Sequence, residues 1–223
     1  MTSDSVRTGA SSLLMGVWRS RSGRKWLLSI LSILLTVGGL VLLAYPILTN
    51  VYNRNEQSRL AREFASPEFK TKFQSGAIAD GDVLTRIRIP GIGVDALVVE
   101  GTSAPALRAG SGHYRGTALP CATGNVAIAG HRTTYGKPFS RMDEVVPGDE
   151  ITLSTPIGTC TYRVVEPPSG KVRPNTRSGA WITTPNDSSV LAPLPGSFLT
   201  LTTCHPKGSA AKRLILRAEL VST

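Results

Sequence analysis

From Trp26 to Leu48 the chain reads WLLSILSILLTVGGLVLLAYPIL, with no acidic, basic or histidine side chain. At about 1.5 Å of helical rise per residue, such a run covers a hydrocarbon core of about 30 Å. A secretory signal peptide is the rival reading, but its apolar core is shorter, and no clear small-x-small cleavage site follows here. The pattern predicts an uncleaved membrane anchor. Residues 53–64 then read as a short helix with Arg59 and Glu63 at i,i+4 spacing, ended by Pro67. The stretch on to Gly81 has no strong period and reads as a stalk, a spacer unless it folds as a lid.

From Asp82 onward the pattern changes to short alternating runs separated by Gly and Pro. VLTRIRI (83–89), DALVVE (95–100), NVAIAG (125–130), EITLST (150–155), TCTYRVVE (159–166), FLTLTTC (198–204) and RLILRAEL (213–220) have strand length and composition. Only 104–109, part of 137–145 and a turn at Ser188–Leu191 read as helical. The expected fold class is all-β, a small closed barrel of seven or eight strands with short helices, preceded by one transmembrane helix. Four segments follow: a basic tail 1–25, the anchor 26–48, the stalk 49–81 and a folded domain 82–223. No strand–helix alternation and no G-x-G-x-x-G points to a dinucleotide site.

Composition changes this picture little, and charge changes it at one place. The chain has 25 Lys and Arg against 15 Asp and Glu, a net +10 that raises nucleic acid as a partner. Residues 1–25, however, carry Arg7, Arg19, Arg21, Arg24 and Lys25 against Asp4. That cluster is a topology signal, placing the amino terminus in the cytoplasm and everything after residue 48 outside. What remains is an ordinary solvated surface, and nucleic-acid binding is not expected.

The last two strands carry the chemistry. Alternation puts Leu199 and Leu201 on one face of FLTLTTC, with Phe198, Thr200, Thr202 and Cys204 on the other. In RLILRAEL, Leu214, Leu216, Ala218 and Leu220 form the core face, with Arg213 opposite. Paired as a hairpin across the short loop 205–212, the strands set Cys204 beside Arg213 at one mouth of the barrel. A thiolate is the reactive form of cysteine, and a neighbouring cation or imidazole favours it. Arg213 offers a fixed fork of donors for an oxyanion or a substrate carbonyl. A general acid completes the set. His205 points to the other side of its strand, and His113 sits in a Gly-rich turn. His131 closes a strand at the rim and is the choice on placement. The bland alternatives are a buried small thiol, a solvated arginine and a surface histidine. No short ligand spacing implies a metal site, and no cofactor is expected. Cys121 and Cys160 either bridge each other, leaving Cys204 the single free thiol, or are both reduced and buried.

Thr200-Leu201-Thr202-Thr203-Cys204, followed by Arg213, resembles the active-site signature of the sortases, and GHYRGTALPCATGNVAIAGHRTTYGKPF resembles their His-bearing segment, here at His131. TCHPKGSAAKRLIL is most similar to the actinobacterial class E sortases of Gram-positive bacteria, with class D next. The resemblance spans about 82–221, with one departure: Cys121 stands where Gly is expected after the Leu-Pro pair. It implies an eight-stranded sortase-type barrel and a cysteine transpeptidase, a hydrolase and transferase in cell-wall anchoring. Cys204 would attack the Thr–Gly bond of an LPxTG or LAxTG sorting signal, His131 would protonate the leaving amine, and Arg213 would hold the substrate backbone. Thr203 would line the groove, and Val190 and Leu191, within the recognition loop 167–197, would meet the apolar residue of the signal.

The partners so implied are secreted proteins with C-terminal sorting signals, lipid II or another amine acceptor, and the membrane. The localisation implied is a single-pass membrane protein with its catalytic domain outside the cell. The stalk lacks an Asp-Pro-aromatic lid motif, which favours housekeeping anchoring over pilus assembly. The rivals are a cysteine peptidase with water as acceptor and a non-catalytic, tethered, envelope-binding barrel. An L,D-transpeptidase would place His before its nucleophile, whereas His205 follows Cys204.

Overall fold

A computed structural model describes residues 21–223, with side chains from residue 23. The basic tail with Asp4, Arg7 and Arg19 lies outside the described residues. The chain divides into two compact units, one ending at Ile47 and one spanning Leu48–Thr223. The first contains the start of helix α1 (Arg21–Phe64), and Gly23–Phe64 is long and apolar enough to cross a membrane. Most of its Leu and Ile side chains are exposed, among them Leu28, Leu31, Ile33, Leu42 and Ile47.

The second unit begins with the rest of α1, which does not stop as a short separate helix. Leu60 is fully buried and clusters with Phe69, Val83, Leu97 and Val99. Gln57 accepts from the Leu97 N–H at 2.7 Å and donates to the Ala109 carbonyl at 3.0 Å. A second helix, α2 (Pro67–Ser75), is capped by Ser66, whose hydroxyl accepts from the Phe69 N–H, and Pro67 starts its first turn. The region read as a stalk is therefore folded against the sheet. Ser-Pro-Glu at 66–68 was the available signal for α2, and its few apolar residues hid the period.

The sheet strands are β1 (Val83–Ile89), β2 (Val94–Glu100), β3 (Ser111–His113), β4 (Gly124–Ala129), β5 (Glu150–Thr155), β6 (Gly158–Val164), β7 (Ala180–Thr183), β8 (Ser197–His205) and β9 (Lys212–Ser222). Helix α3 (Ala104–Ala109) precedes β3. Hydrogen bonding runs β6-β5-β1-β2-β3-β4-β8-β9, and β9 returns to β6, so eight strands close a ring. The ninth, β7, adds to the same edge of β9 nearer its start: Thr183 pairs with Arg213, while Val164 of β6 pairs with Ala218. The pairings β2–β3 and β4–β8 are parallel.

The inner face holds one core, including Ile87, Val126, Ile151, Leu199, Leu201, Leu214 and Leu216. The outer face of β8 and β9 is also covered, since Ile215 packs with Trp181 and Val190. The two strands missing from the alternation pattern, β3 and β7, are the shortest and are held by their neighbours rather than by their own period.

Cys121 and Cys160 are joined by a disulfide, with Cα atoms 5.6 Å apart. Cys121 has φ +69°, the left-handed region where glycine is at ease and other residues are strained by roughly 1–3 kcal/mol. That is the position where the resemblance leads one to expect Gly. Closing a loop between residues 39 apart in sequence is worth about 3–4 kcal/mol on chain-entropy grounds. Cys121→Ser with Cys160→Ser is expected to lower unfolding stability by about that amount, read from urea transitions of the oxidised protein and the double variant.

Candidate active site

β8 and β9 are antiparallel from Phe198↔Glu219 to His205↔Lys212, and Cys204 stands directly opposite Arg213. Cys204 is the free cysteine, half-buried at the strand end. Arg213 donates through Nη1 to the carbonyls of Ala210 at 2.9 Å and Lys212 at 3.1 Å, which turns its side chain along its own hairpin loop. Its other guanidinium nitrogens make no hydrogen bond to the described residues.

His131 arrives from the other side of β8. The β4–β8 pairing ends at Ala129↔Thr202, followed by a Gly130 N–H bond to the Thr202 carbonyl at 3.0 Å. His131 lies two residues past the last paired residue of β4, as Cys204 lies two past its partner on β8. Gly130 has to lack a side chain here, because a Cβ would lie 2.6 Å from the Phe139 ring. The His131 ring tilts against Tyr135 with centroids 5.2 Å apart, and Tyr135 meets Tyr52 of α1 edge-on at 6.3 Å.

Beside Arg213 lies a groove of about 200 Å³, lined by Tyr114, Val190, Leu191, Thr202 and Ile215 together with residues 183–188. Val190 and Leu191 lie on a short 3-10 turn, Ser188–Leu191, fixed at its start by Asp187, which accepts from the Ser189 N–H at 3.2 Å. Asn125 anchors the end of this wall, donating to the carbonyls of Val190 and Ala192 at 3.0 Å each and accepting from Thr200 at 2.7 Å. Arg217 lies over the Trp181 ring and also donates to the Val190 carbonyl.

Thr203 does not line this groove. Its side chain is buried, and its hydroxyl donates to the Gly130 carbonyl at 2.7 Å. Alternation explains the difference, since Thr202 shares the outer face with Cys204; Thr202 Oγ1 lies 3.0 Å from Tyr114 Oη in the groove wall.

The other two histidines have structural partners. His113 is buried between Glu100, 2.8 Å from Nδ1, and the Ala118 carbonyl, 2.9 Å from Nε2. His205 Nδ1 lies 2.9 Å from Nη1 of Arg132, a buried cation that sequence reasoning missed because an arginine in a loop reads as solvated.

With this geometry in place, comparison with known proteins decides the family: the Sortase domain profile matches residues 87–221. The chain belongs to the sortase family. It is 30% identical over 207 residues to sortase SrtE1 of Streptomyces coelicolor, covering 85% of this chain and 55% of that protein. It is 31% identical over 140 residues to Sortase D of Bacillus subtilis, covering 61% of this chain and 63% of the relative. This sortase thus spans between half and two thirds of the length of those two relatives. Among solved structures, a Clostridium perfringens sortase D5 transpeptidase aligns with a TM-score of 0.62 at 28% identity, over 77% of this chain and 99% of that one. Sortase E1 of Streptomyces coelicolor, crystallised with a tripeptide in its active site, aligns at 0.56 and 31% identity, over 64% of this chain and 90% of its own.

Burial pushes the His131 imidazole below its ordinary value. His205 is pushed down too, first by burial, then by the Arg132 charge, with Asp143 opposing and Lys212 adding to the shift. Both rings therefore bind a proton more readily in the unfolded chain. The stability they lend is whole above about pH 6.5 and is lost as pH falls through their folded values. Urea midpoints measured from about pH 7.5 down to 5.5 are expected to fall, and His205→Gln to flatten that slope.

Proposed function

We propose that this sortase is a membrane-anchored cysteine transpeptidase that cleaves an LPxTG- or LAxTG-type sorting signal between Thr and Gly and transfers the protein to a cell-wall precursor amine such as lipid II. The observation that carries this reading is the Cys204–Arg213 cross-strand pair beside a groove with an apolar wall. Sorting-signal residues on the amino-terminal side of the Thr lie against Val190 and Leu191. The tripeptide in the active site of the Streptomyces coelicolor enzyme favours a peptide ligand.

Burial keeps the His131 ring neutral near pH 7, so it takes the proton of the Cys204 thiol. The sulfur attacks the Thr carbonyl carbon, the C–N bond to Gly breaks, and the imidazolium returns its proton to the leaving amine. Arg213 directs its remaining donors to the substrate backbone and the oxyanion. An incoming amine then displaces the sulfur from the thioester and restores the thiol.

In this reading 1–25 is a cytoplasmic tail, 26–48 the anchor, and 82–223 the extracytoplasmic catalytic domain. Within 49–81, α1 and α2 pack against the folded domain through Leu60 and Phe69, which argues against a passive spacer. Signal-bearing proteins and a lipid-linked acceptor both arrive in the membrane plane, where tethering raises their effective concentration.

The full chain in detergent, given a sorting peptide and triglycine, is expected to yield product carrying the added glycines. Hydrolysis alone under excess amine would favour a cysteine peptidase. Cys204→Ala is expected to abolish cleavage with the thermal midpoint nearly unchanged. Arg213→Lys is expected to lose roughly 10²-fold or more in turnover, because an ammonium cannot reproduce the planar fork. Cleavage retained by Cys204→Ala would overturn Cys204 as the nucleophile, and neither cleavage nor transfer by the wild-type chain would leave an envelope-binding barrel as the better account.

A further inference from the structure

Arg132 follows His131 and turns inward, with its side chain only 3% exposed. Nη1 donates to the carbonyl oxygen of Cys204 at 3.2 Å and to His205 Nδ1 at 2.9 Å, and Nη2 lies 2.9 Å from Asp143 Oδ1. Its Nε has no hydrogen-bond partner. A buried guanidinium with one carboxylate and an unmatched donor is a poor way to stabilise a fold, and apolar residues in its place are often as good or better. The partners suggest another role. The backbone pairing of β4 with β8 has ended at Gly130, whose carbonyl accepts from Thr203, and the His131 carbonyl accepts from the Phe139 N–H at 3.2 Å. Among the described residues, the polar tie between the His131 loop and the peptide of Cys204 beyond that point runs through Arg132. Asp143, on the 3-10 turn Met142–Glu144, holds the guanidinium from the far side.

We infer that Arg132 is a positioning residue: its guanidinium rivets the loop bearing His131 to the Cys204 carbonyl and so sets the distance across which ring and sulfur exchange a proton. This rests on the catalytic reading of Cys204 and His131 above. Its burial keeps Arg132 away from an incoming substrate, so it acts through its neighbours. The planar fork is what lets one group hold a carbonyl, an imidazole nitrogen and a carboxylate at once, which an ammonium on a flexible stem does not do. The contact to His205 needs Nδ1 unprotonated, and the charged groups facing that ring are Arg132, Asp143 and Lys212.

The test uses the full chain in detergent, where the disulfide leaves Cys204 as the one free thiol for iodoacetamide. Arg132→Lys is expected to lower kcat by about 10²-fold with KM changed little, since a shift of about 1 Å in a reacting group has that effect. The pH dependence of Cys204 alkylation without substrate is expected to lose the inflection contributed by His131. Asp143→Asn, which keeps the arginine but removes its counter-charge, should move both readings the same way by a smaller factor. If Arg132→Lys folds and keeps wild-type kcat and the wild-type alkylation profile, the rivet is refuted. A loss of kcat matching only the unfolded fraction, with the profile intact, refutes it too. Should Arg132→Lys not fold, wild-type values in Asp143→Asn refute it. If the wild-type chain cleaves no sorting peptide, the functional reading falls, while the alkylation profiles still decide whether Arg132 couples His131 to Cys204.

Discussion

The antiparallel register of β8 and β9 is the constraint on which the rest depends. It places Leu199 and Leu201 against Leu214 and Leu216 in the core, and by the same alternation places Cys204 across from Arg213 outside it. A slip of one residue would turn the leucines outward and the thiol inward, so burying the core and presenting the sulfur are one requirement. β9 also bonds to β6 and β7, which makes it the strand that both closes the ring and carries the arginine. Few strands in a barrel have three partners, and register here is correspondingly over-determined.

The parallel pairing of β4 with β8 does the complementary work. Parallel neighbours need a long connection, and nearly seventy residues separate these strands in sequence, so the ends of β4 and β8 are brought side by side only when the ring has formed. The loop after β4 has Tyr135, Gly136 and Lys137 all at positive φ, and a Cβ on Gly136 would lie 2.2 Å from Asn53 Oδ1. Its shape is thus adjusted to the α1 helix as well as to the barrel. The amide of Gly136 confirms the fit by donating to Asn50 Oδ1 at 3.0 Å.

Much of this could be read from residues alone, for identifiable reasons. The seven longer strands show in their length and β-rich composition, with alternation clearest in β1, β5 and β6, and the Cys204–Arg213 opposition follows from counting along a hairpin. β3 escaped because Ser-Gly-His has no apolar period, and β7 because four residues are too few to show one. The helix at 53–64 was legible from its i,i+4 pair, while its continuity with the anchor, its packing on the sheet and α2 escaped because the contact face rests on a few side chains, chiefly Leu60 and Phe69. Thr203 was assigned to the groove by likeness to the family, against the alternation that had already paired Thr202 with Cys204. Arg132 carries no pattern at all, since only the folded chain shows that its charge is buried.

The amide of Asn125 holds two carbonyls of the groove wall from a residue rooted in strand β4, and Arg217 holds one of them again. Such a wall is set before anything lands on it, so a ligand meets a mould already cast and little chain entropy is lost in shaping it. Diversification of what fits there would then proceed by exchanging the tips at Val190 and Leu191, with the casting left as it is.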